Sequence, residues 1–287
     1  MKSTIGFIGT GVMGKSMAGH IQKAGYPLIV YNRTKSKAEE LIQNGAIWAE
    51  TPKQMVEQAS IIFTIIGEPQ DVEEVYFGEN GLIPNGKGGQ ILIDMTTSQP
   101  SLAKDIYIQA KEKGMFSLDA PVSGGDIGAE NGTLAIMVGG DEDIFNKVHP
   151  LLSTFGDNIV YQGGAGAGQH TKMCNQIAIC TNMIGICESI LYAEKAGLDP
   201  ESVLKSISSG AAGSWSLSNL APRIIQKDYA PGFYIKHFIK DMKIALSEAE
   251  KLGIDLPGLT LAKEMYEKVA QKGEEYNGTQ ALIKYWS

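Results

Sequence analysis

Hydrophobic and polar positions change rhythm once along this chain. In the first half, short apolar runs alternate with stretches whose apolar residues recur at three- and four-residue spacing. "TIGFIG" reads as a strand, and "VMGKSMAGHIQKAG" as a helix closed by Gly25, a natural residue just past a helix end. The strand "PLIVYN", the helix "SKAEELIQNG", the short strand "AIWA" and the helix "TPKQMVEQA", with its Thr-Pro start, come next. "SIIFTII" is apolar throughout, as in a strand covered on both faces. A helix "DVEEVYF", a strand "QILIDM", a helix "SLAKDIYIQAKEKG" and a strand "FSLDAP" continue the alternation. "TLAIMVGG", the helix "DEDIFNKVHPLLSTF" and "NIVYQG" close the half. Strand–helix alternation with short connections predicts an α/β domain, a mainly parallel sheet with helices on both faces.

After Gly164 the strand pattern stops. "TKMCNQIAICTNMIGICESILYAEKAG" predicts one long helix, apolar almost all round and therefore buried. Further helical patterns, "PESVLKSISS", "SWSLSNLAPRIIQ", "IKHFIKDMKIALSEAEKLG" and "LTLAKEMYEKVAQKG", predict an all-α second half. The boundary falls in a glycine cluster, giving an expected α/β domain over 1–163 and an all-α domain over 164–287.

Composition narrows the function. Of 287 residues, 43% are hydrophobic and 20% charged, an ordinary globular balance. The net charge of −7 argues against a nucleic-acid partner but leaves room for a local basic pocket and a small acidic substrate. The N-terminus runs straight into a strand pattern without a signal-peptide core, and no apolar run reads as a membrane span, so the expected location is cytoplasmic. Cys174, Cys180 and Cys187 share one helix, form no zinc-type pair, and read as core thiols. No set of metal ligands stands out.

Chemistry enters at the first strand–helix junction. "GFIGTGVMG" carries Gly9, Gly11 and Gly14, with Thr10, Val12 and Met13 between them. Between a strand and a helix this spacing lets a pyrophosphate approach the backbone at a helix N-terminus. At the end of the second strand, Asn32 stands where an NAD-preferring protein would place a carboxylate, and Arg33 and Thr34 follow. A neutral amide beside a guanidinium favours a 2′-phosphate, so NADP is the expected cofactor and NAD the alternative.

Small polar residues gather where later strands end: Ile66 and Gly67 in "IIGEPQ"; Thr96, Thr97 and Ser98 in "DMTTS"; Ser123, Gly124 and Gly125 in "DAPVSGG". A serine followed by two glycines bares successive amides, a plausible grip for a carboxylate. Lys172, Asn175 and Gln176 share one helical face just after the flexible-looking "GAGAGQ". A lysine in partly desolvated surroundings suits proton exchange with a hydroxyl or carbonyl oxygen, and the amides of Asn175 and Gln176 one turn further on are expected to hold substrate oxygens. Lys240 and Asp241, adjacent on a later helix, read as a solvated pair; Trp215 reads as pocket-lining or core; none of the four histidines forms a recognisable catalytic pattern.

"GFIGTGVMGKSMAGHI", "DAPVSGGDIGAENGTLAIMVGG", "GAGQHTKMCNQ" and "FIKDMKIAL", in this order across the whole chain, resemble the β-hydroxyacid dehydrogenases. The likeness is greatest to 3-hydroxyisobutyrate dehydrogenase and its relatives, the tartronate semialdehyde and the glyoxylate/succinic semialdehyde reductases. The resemblance implies Lys172 as catalytic lysine; Ser123, Gly124, Gly125 and Asn175 as substrate contacts; Thr97 as a cofactor contact near the nicotinamide; and Lys240 at the cofactor and substrate cleft. It also implies that residues 1–163 form a doubly wound α/β Rossmann domain for NAD(P), and that the all-α residues 164–287 serve substrate and subunit contacts in a homodimer or homotetramer. Gln176 departs from the second asparagine of many members, and Gly67 from a proline. A 6-phosphogluconate dehydrogenase would need a longer α-domain. Imine reductases usually lack the lysine, as do non-catalytic cofactor-binding modules.

Overall fold

The computed structural model describes residues 2–287, in two compact units that divide between Lys172 and Met173. The first unit thus includes residues 164–172, beyond the boundary expected from the glycine cluster. Its elements run β1 (Ile5–Ile8), α1 (Val12–Lys23), β2 (Leu28–Tyr31), α2 (Glu39–Gln43), β3 (Ile47–Trp48), α3 (Pro52–Val56), β4 (Ile61–Thr64), α4 (Pro69–Phe77), α5 (Leu82–Asn85) and β5 (Ile91–Asp94). They continue with α6 (Pro100–Glu112), β6 (Phe116–Asp119), β7 (Val122–Ser123), α7 (Gly125–Asn131), β8 (Leu134–Gly140), α8 (Glu142–Leu152) and β9 (Gly156–Gly163). The helix expected at "SKAEELIQNG" begins as a 3-10 turn, and the short α5, β7 and α7 lie in stretches the periodicity left unassigned. Local signals hold where they have a physical cause. Thr51 accepts from the Gln54 amide at 3.1 Å ahead of Pro52, and Gly25 takes φ +80° after α1.

The sheet order is β3-β2-β1-β4-β5-β6-β8-β7, with β9 on β8. Strands β1 to β6 pair in parallel; β8 runs antiparallel to β6 and β7. Successive strand residues face opposite sides. Ile5, Phe7, Phe63 and Ile93 therefore pack with Met17 and Ile21 of α1 and Val148 of α8. Ile8, Ile62 and Leu92 point the other way, onto Met55, Val72, Tyr76 and Ile106. A strand buried on both faces cannot alternate, which explains "SIIFTII". Because β2 and β4 flank β1, the strand order reverses beside β1, and the carboxyl ends of strands at such a switch point are where open α/β sheets bind ligands.

The helix α9 (Ala167–Lys195) crosses the division between the units. The second unit adds α10 (Pro200–Ile207), α11 (Trp215–Asn219), α12 (Ala221–Ile225), α13 (Ile235–Leu252) and α14 (Pro257–Val269) around a core that includes Cys180, Met183, Phe238, Met242 and Tyr266. By length and composition α9 is apolar enough to cross a membrane, contrary to the expectation that no such run exists. Nor is it buried all round. Cys174, Ala178, Thr181, Gly185, Glu188 and Tyr192 form an exposed line along it, because apolar composition alone does not decide which face packs. Cys174 is thus exposed, whereas burial pushes the Cys180 thiol up to about 11 and that of Cys187 to about 12.

Candidate active site

The β1–α1 turn shows why its glycines are needed. A Cβ on Gly9, which takes φ +98°, would lie 2.0 Å from the Ile65 carbonyl oxygen. One on Gly14 would lie 1.9 Å from the Gly9 oxygen. Gly11 differs: its φ of −71° suits any residue, and a Cβ there would meet nothing within 4 Å. Among the described residues no packing demands glycine at 11, so the space there fits a ligand that must reach the backbone. Val12 at the start of α1 is 63% exposed, and no side chain caps this end. First-turn amides lack intrahelical partners, and the helix dipole favours an anion beside them. The buried Thr10 hydroxyl has no hydrogen-bond partner among the described residues. Met13 packs its side chain on the core. These features fit a dinucleotide pyrophosphate.

Asn32 holds this loop in shape. Its Oδ1 accepts from the Thr10 amide at 3.1 Å, and its Nδ2 donates to the Thr34 carbonyl at 2.9 Å. An amide does both; a carboxylate could do only the first. The Arg33 side chain is 85% exposed, and its guanidinium lies 3.5 Å from Asp71 at the start of α4.

At the ends of β4 and β5, three hydroxyls separate into two roles. Thr96 Oγ1 accepts from the Ile66 amide at 3.0 Å, and Thr96 and Ser98 are buried. Thr97 is partly open, as is Gly67, so two of the three expected hydroxyls lie buried. Behind them stands Asp94, which periodicity did not single out. It accepts from the Thr64 hydroxyl at 2.8 Å and the Thr96 amide at 3.1 Å, and burial raises its pKa to about 6.

Ser123 ends β7, antiparallel to β8, and Gly124 and Gly125 take φ of +131° and +65°. Lys172 is only 6% exposed, and its Nζ donates to the Val122 carbonyl at 2.9 Å. The ammonium is thereby held one residue before the serine–glycine–glycine turn. Two further residues, missed by sequence reasoning, fix the start of α9. Asp119 accepts from the Gly166 amide at 2.7 Å and the Gln169 amide at 2.8 Å. Burial raises its pKa and these amide hydrogen bonds oppose the rise. Gln169, fully buried, donates to the Thr96 carbonyl at 2.6 Å and accepts from the Ser98 amide at 3.0 Å. The only signal was position: Asp119 opens "DAPVSGG" and Gln169 precedes Lys172 by one helical turn.

In the second unit, Asn175 donates to Gln176 Oε1 at 2.8 Å, and Gln176 Nε2 donates to Asp241 at 2.6 Å. Gln176 is 2% exposed with both ends of its amide engaged, so it orients Asn175 rather than reaching outward. Lys240 and Asp241 are paired at 3.2 Å with side chains 13% and 1% exposed. The expected solvated pair is therefore a largely buried one, because α13 turns this part of its surface into the helical core. Trp215 is 64% exposed, which excludes the core reading. His237 is partly buried, and burial followed by Lys240 lowers its pKa.

Residues 4–164 match the model of the NAD binding domain of 6-phosphogluconate dehydrogenase. Residues 166–286 match that described as NAD-binding of NADP-dependent 3-hydroxyisobutyrate dehydrogenase. The chain belongs to the β-hydroxyacid dehydrogenase family. It is an NAD(P)-dependent hydroxyacid dehydrogenase with a Rossmann-type domain followed by a helical one. Similar proteins include the uncharacterized oxidoreductase YkwC of Bacillus subtilis (strain 168), 64% identical over 100% of this chain and 99% of that protein. The 2-hydroxy-3-oxopropionate reductase of Escherichia coli (strain K12) is 40% identical over 98% and 96%. Among solved structures, a Mycobacterium tuberculosis 3-hydroxyisobutyrate dehydrogenase with L-serine is similar at TM-score 0.92 and 28% identity, over 100% of this chain and 99% of that one.

Proposed function

We propose that this dehydrogenase interconverts a small β-hydroxyacid and its semialdehyde, with Lys172 as general acid and base and NADP preferred over NAD. The hydroxyacid most in keeping with the family is 3-hydroxyisobutyrate; a glyoxylate or succinic semialdehyde reductase is the nearest alternative. One observation carries the reading: the buried Lys172 ammonium is hydrogen-bonded at 2.9 Å beside Ser123, Gly124 and Gly125. A cation fixed next to a hydroxyl and a glycine turn suits a substrate that carries both a carboxylate and a reacting oxygen.

A nicotinamide cofactor, when bound, would supply or accept the hydride. Gly9, Thr10, Gly11, Val12, Met13 and Gly14 would hold the pyrophosphate, Asn32, Arg33 and Thr34 the adenosine end, and Ile66, Gly67 and Thr97 the loops near the nicotinamide. Lys240 joins this set by resemblance. Ser123 and the amides of Gly124 and Gly125 orient the carboxylate, with Asn175, held by Gln176, as a further contact one turn beyond Lys172. In reduction, Lys172 gives its proton to the carbonyl oxygen as charge develops there; in oxidation it takes the hydroxyl proton. The chain's contribution is placement and charge stabilisation on oxygen.

The deciding experiment follows reduced-nicotinamide absorbance with short hydroxyacids and semialdehydes and both cofactors. Turnover of a carboxylate-bearing member with NADP supports the reading. Tight NADP binding without turnover of any would favour a binding module. Two variants sharpen it. Arg33→Ala is expected to weaken NADP about 10-fold or more, the size of one lost charge-assisted hydrogen bond, and NAD hardly at all; equal losses would remove Arg33 from the 2′-phosphate. Ser123→Ala is expected to raise KM for the acid about 10-fold; an unchanged KM would place the carboxylate elsewhere. The exposed line on α9 supports a homodimer or homotetramer, and the unpaired cysteines support a cytoplasmic location.

A further inference from the structure

We propose that Asp119 and Gln169 are positioning residues that lock the first turn of α9 to the loop carrying Thr97, and so set where the Lys172 ammonium stands. This rests on reading Lys172 as the general acid and base.

The argument begins with the unsatisfied amides of a helix start. Four such groups open every α-helix. Here one carboxylate, at the end of β6 and fifty residues away in sequence, takes two of them, from Gly166 and Gln169. A negative charge at this end also matches the helix dipole. The seat is tight. A Cβ on Gly168 would lie 2.3 Å from the Met137 carbonyl oxygen and 2.6 Å from that of Asp119. One on Gly139 would lie 2.6 Å from Asp119 Oδ1 and 2.7 Å from the Gly168 nitrogen. The glycines of "GAGAGQ" that read as a flexible lead-in include one, Gly168, needed for close approach. The start of α9 is wedged against β6 and β8.

Gln169 then reaches sideways. Its amide donates to the residue before Thr97 and accepts from the residue after it. Thr97 is thus bracketed by one buried side chain whose own backbone amide is held by Asp119. Lys172 lies three residues later, on the same helical face. A long lysine stem has many rotamers, and its tip is fixed at Val122 only if its Cα is fixed first. Asp119 and Gln169 supply that fixed point and tie it to the Thr97 loop. Neither needs to touch substrate.

The test is a double-mutant cycle with Gln169→Glu, an isosteric change. A carboxylate still accepts from the Ser98 amide but cannot donate to the Thr96 carbonyl unless protonated. Hydride-transfer rate is measured in the native background and in Lys172→Ala, with NADP affinity followed by fluorescence. The expected result at pH 8 is a loss of at least 10-fold with Lys172 present and less than 2-fold with Lys172→Ala. The native-to-variant ratio should also shrink as pH falls, since a protonated Glu regains the donor; Gln169→Leu should show no such recovery. Should Gln169→Glu fail to fold, Asp119→Asn enters the same cycle, keeping one acceptor of two. Equal losses in both backgrounds, or no loss in either, would overturn the proposal. If Lys172→Ala alone leaves the rate intact, the general acid–base reading fails instead, a separate outcome of the same cycle.

Discussion

Lys172→Ala is expected to fold, to bind NADP within about 3-fold of the native affinity, and to lose about 10²–10⁴-fold in kcat, the range supplied by one positioned proton-transfer group. The asymmetry follows from where the lysine sits. Its Nζ is engaged at the Val122 carbonyl beside Ser123, whereas the glycine turn proposed to hold the pyrophosphate is built from Gly9, Gly11 and Gly14 and is shaped by Asn32. Truncation removes the lysine held at that strand end, while the β1–α1 turn keeps its own hydrogen bonds. A small primary amine added to the variant should restore part of the rate, because the lost group is a proton carrier and the truncated side chain leaves space. Steady-state rates with saturating substrate, together with fluorescence titration of NADP, check both halves. A kcat within 5-fold of native would remove Lys172 from the chemistry.

The second large effect separates three glycines that a pattern search treats alike. Gly14→Ala is expected to destabilise the fold by about 3 kcal/mol or more, since its Cβ would stand 1.9 Å from the Gly9 carbonyl oxygen and backbone must move. Gly9→Ala meets the Ile65 carbonyl and a positive φ as well, and should fare no better. Gly11→Ala should leave the melting temperature unchanged or slightly raised, because φ there is ordinary and the space open. Its cost falls on the cofactor: NADP and NAD should both weaken by at least 10-fold, as the methyl group occupies the room the pyrophosphate needs. Thermal melts with and without NADP settle the matter. Were Gly11→Ala to bind NADP normally, the pyrophosphate would lie elsewhere along the turn.

Much of the fold was legible because its causes are local. The alternation of strands and helices, the Gly25 stop and the Thr51 cap depend on residues within a turn or two of each other. The short β7 and α7 were not legible, since positive-φ glycines at 124 and 125 and pairing with β8 make them, not any periodicity. For the site, the glycine turn, the serine–glycine–glycine motif and Lys172 stood out by residue type. Gln176, Asp94 and Asp241 were misjudged or overlooked because their roles depend on who is across from them. Gln176 is spent on Asn175 and Asp241, and Asp94 on Thr64 and Thr96.

The sequence by itself determined the order of elements, the two-part organisation and the chemical types available, because periodicity, backbone freedom and side-chain chemistry are properties of short stretches. Tertiary structure alone decided which of those types meet. The bond from Lys172 to Val122 spans 50 positions, that from Asp119 to Gln169 another 50, and that from Gln169 to Thr96 spans 73. It also decided that Asp241 is buried, Lys240 largely so, and Trp215 exposed. Burial is set by whatever packs from elsewhere in the chain, and no neighbouring residue carries that information.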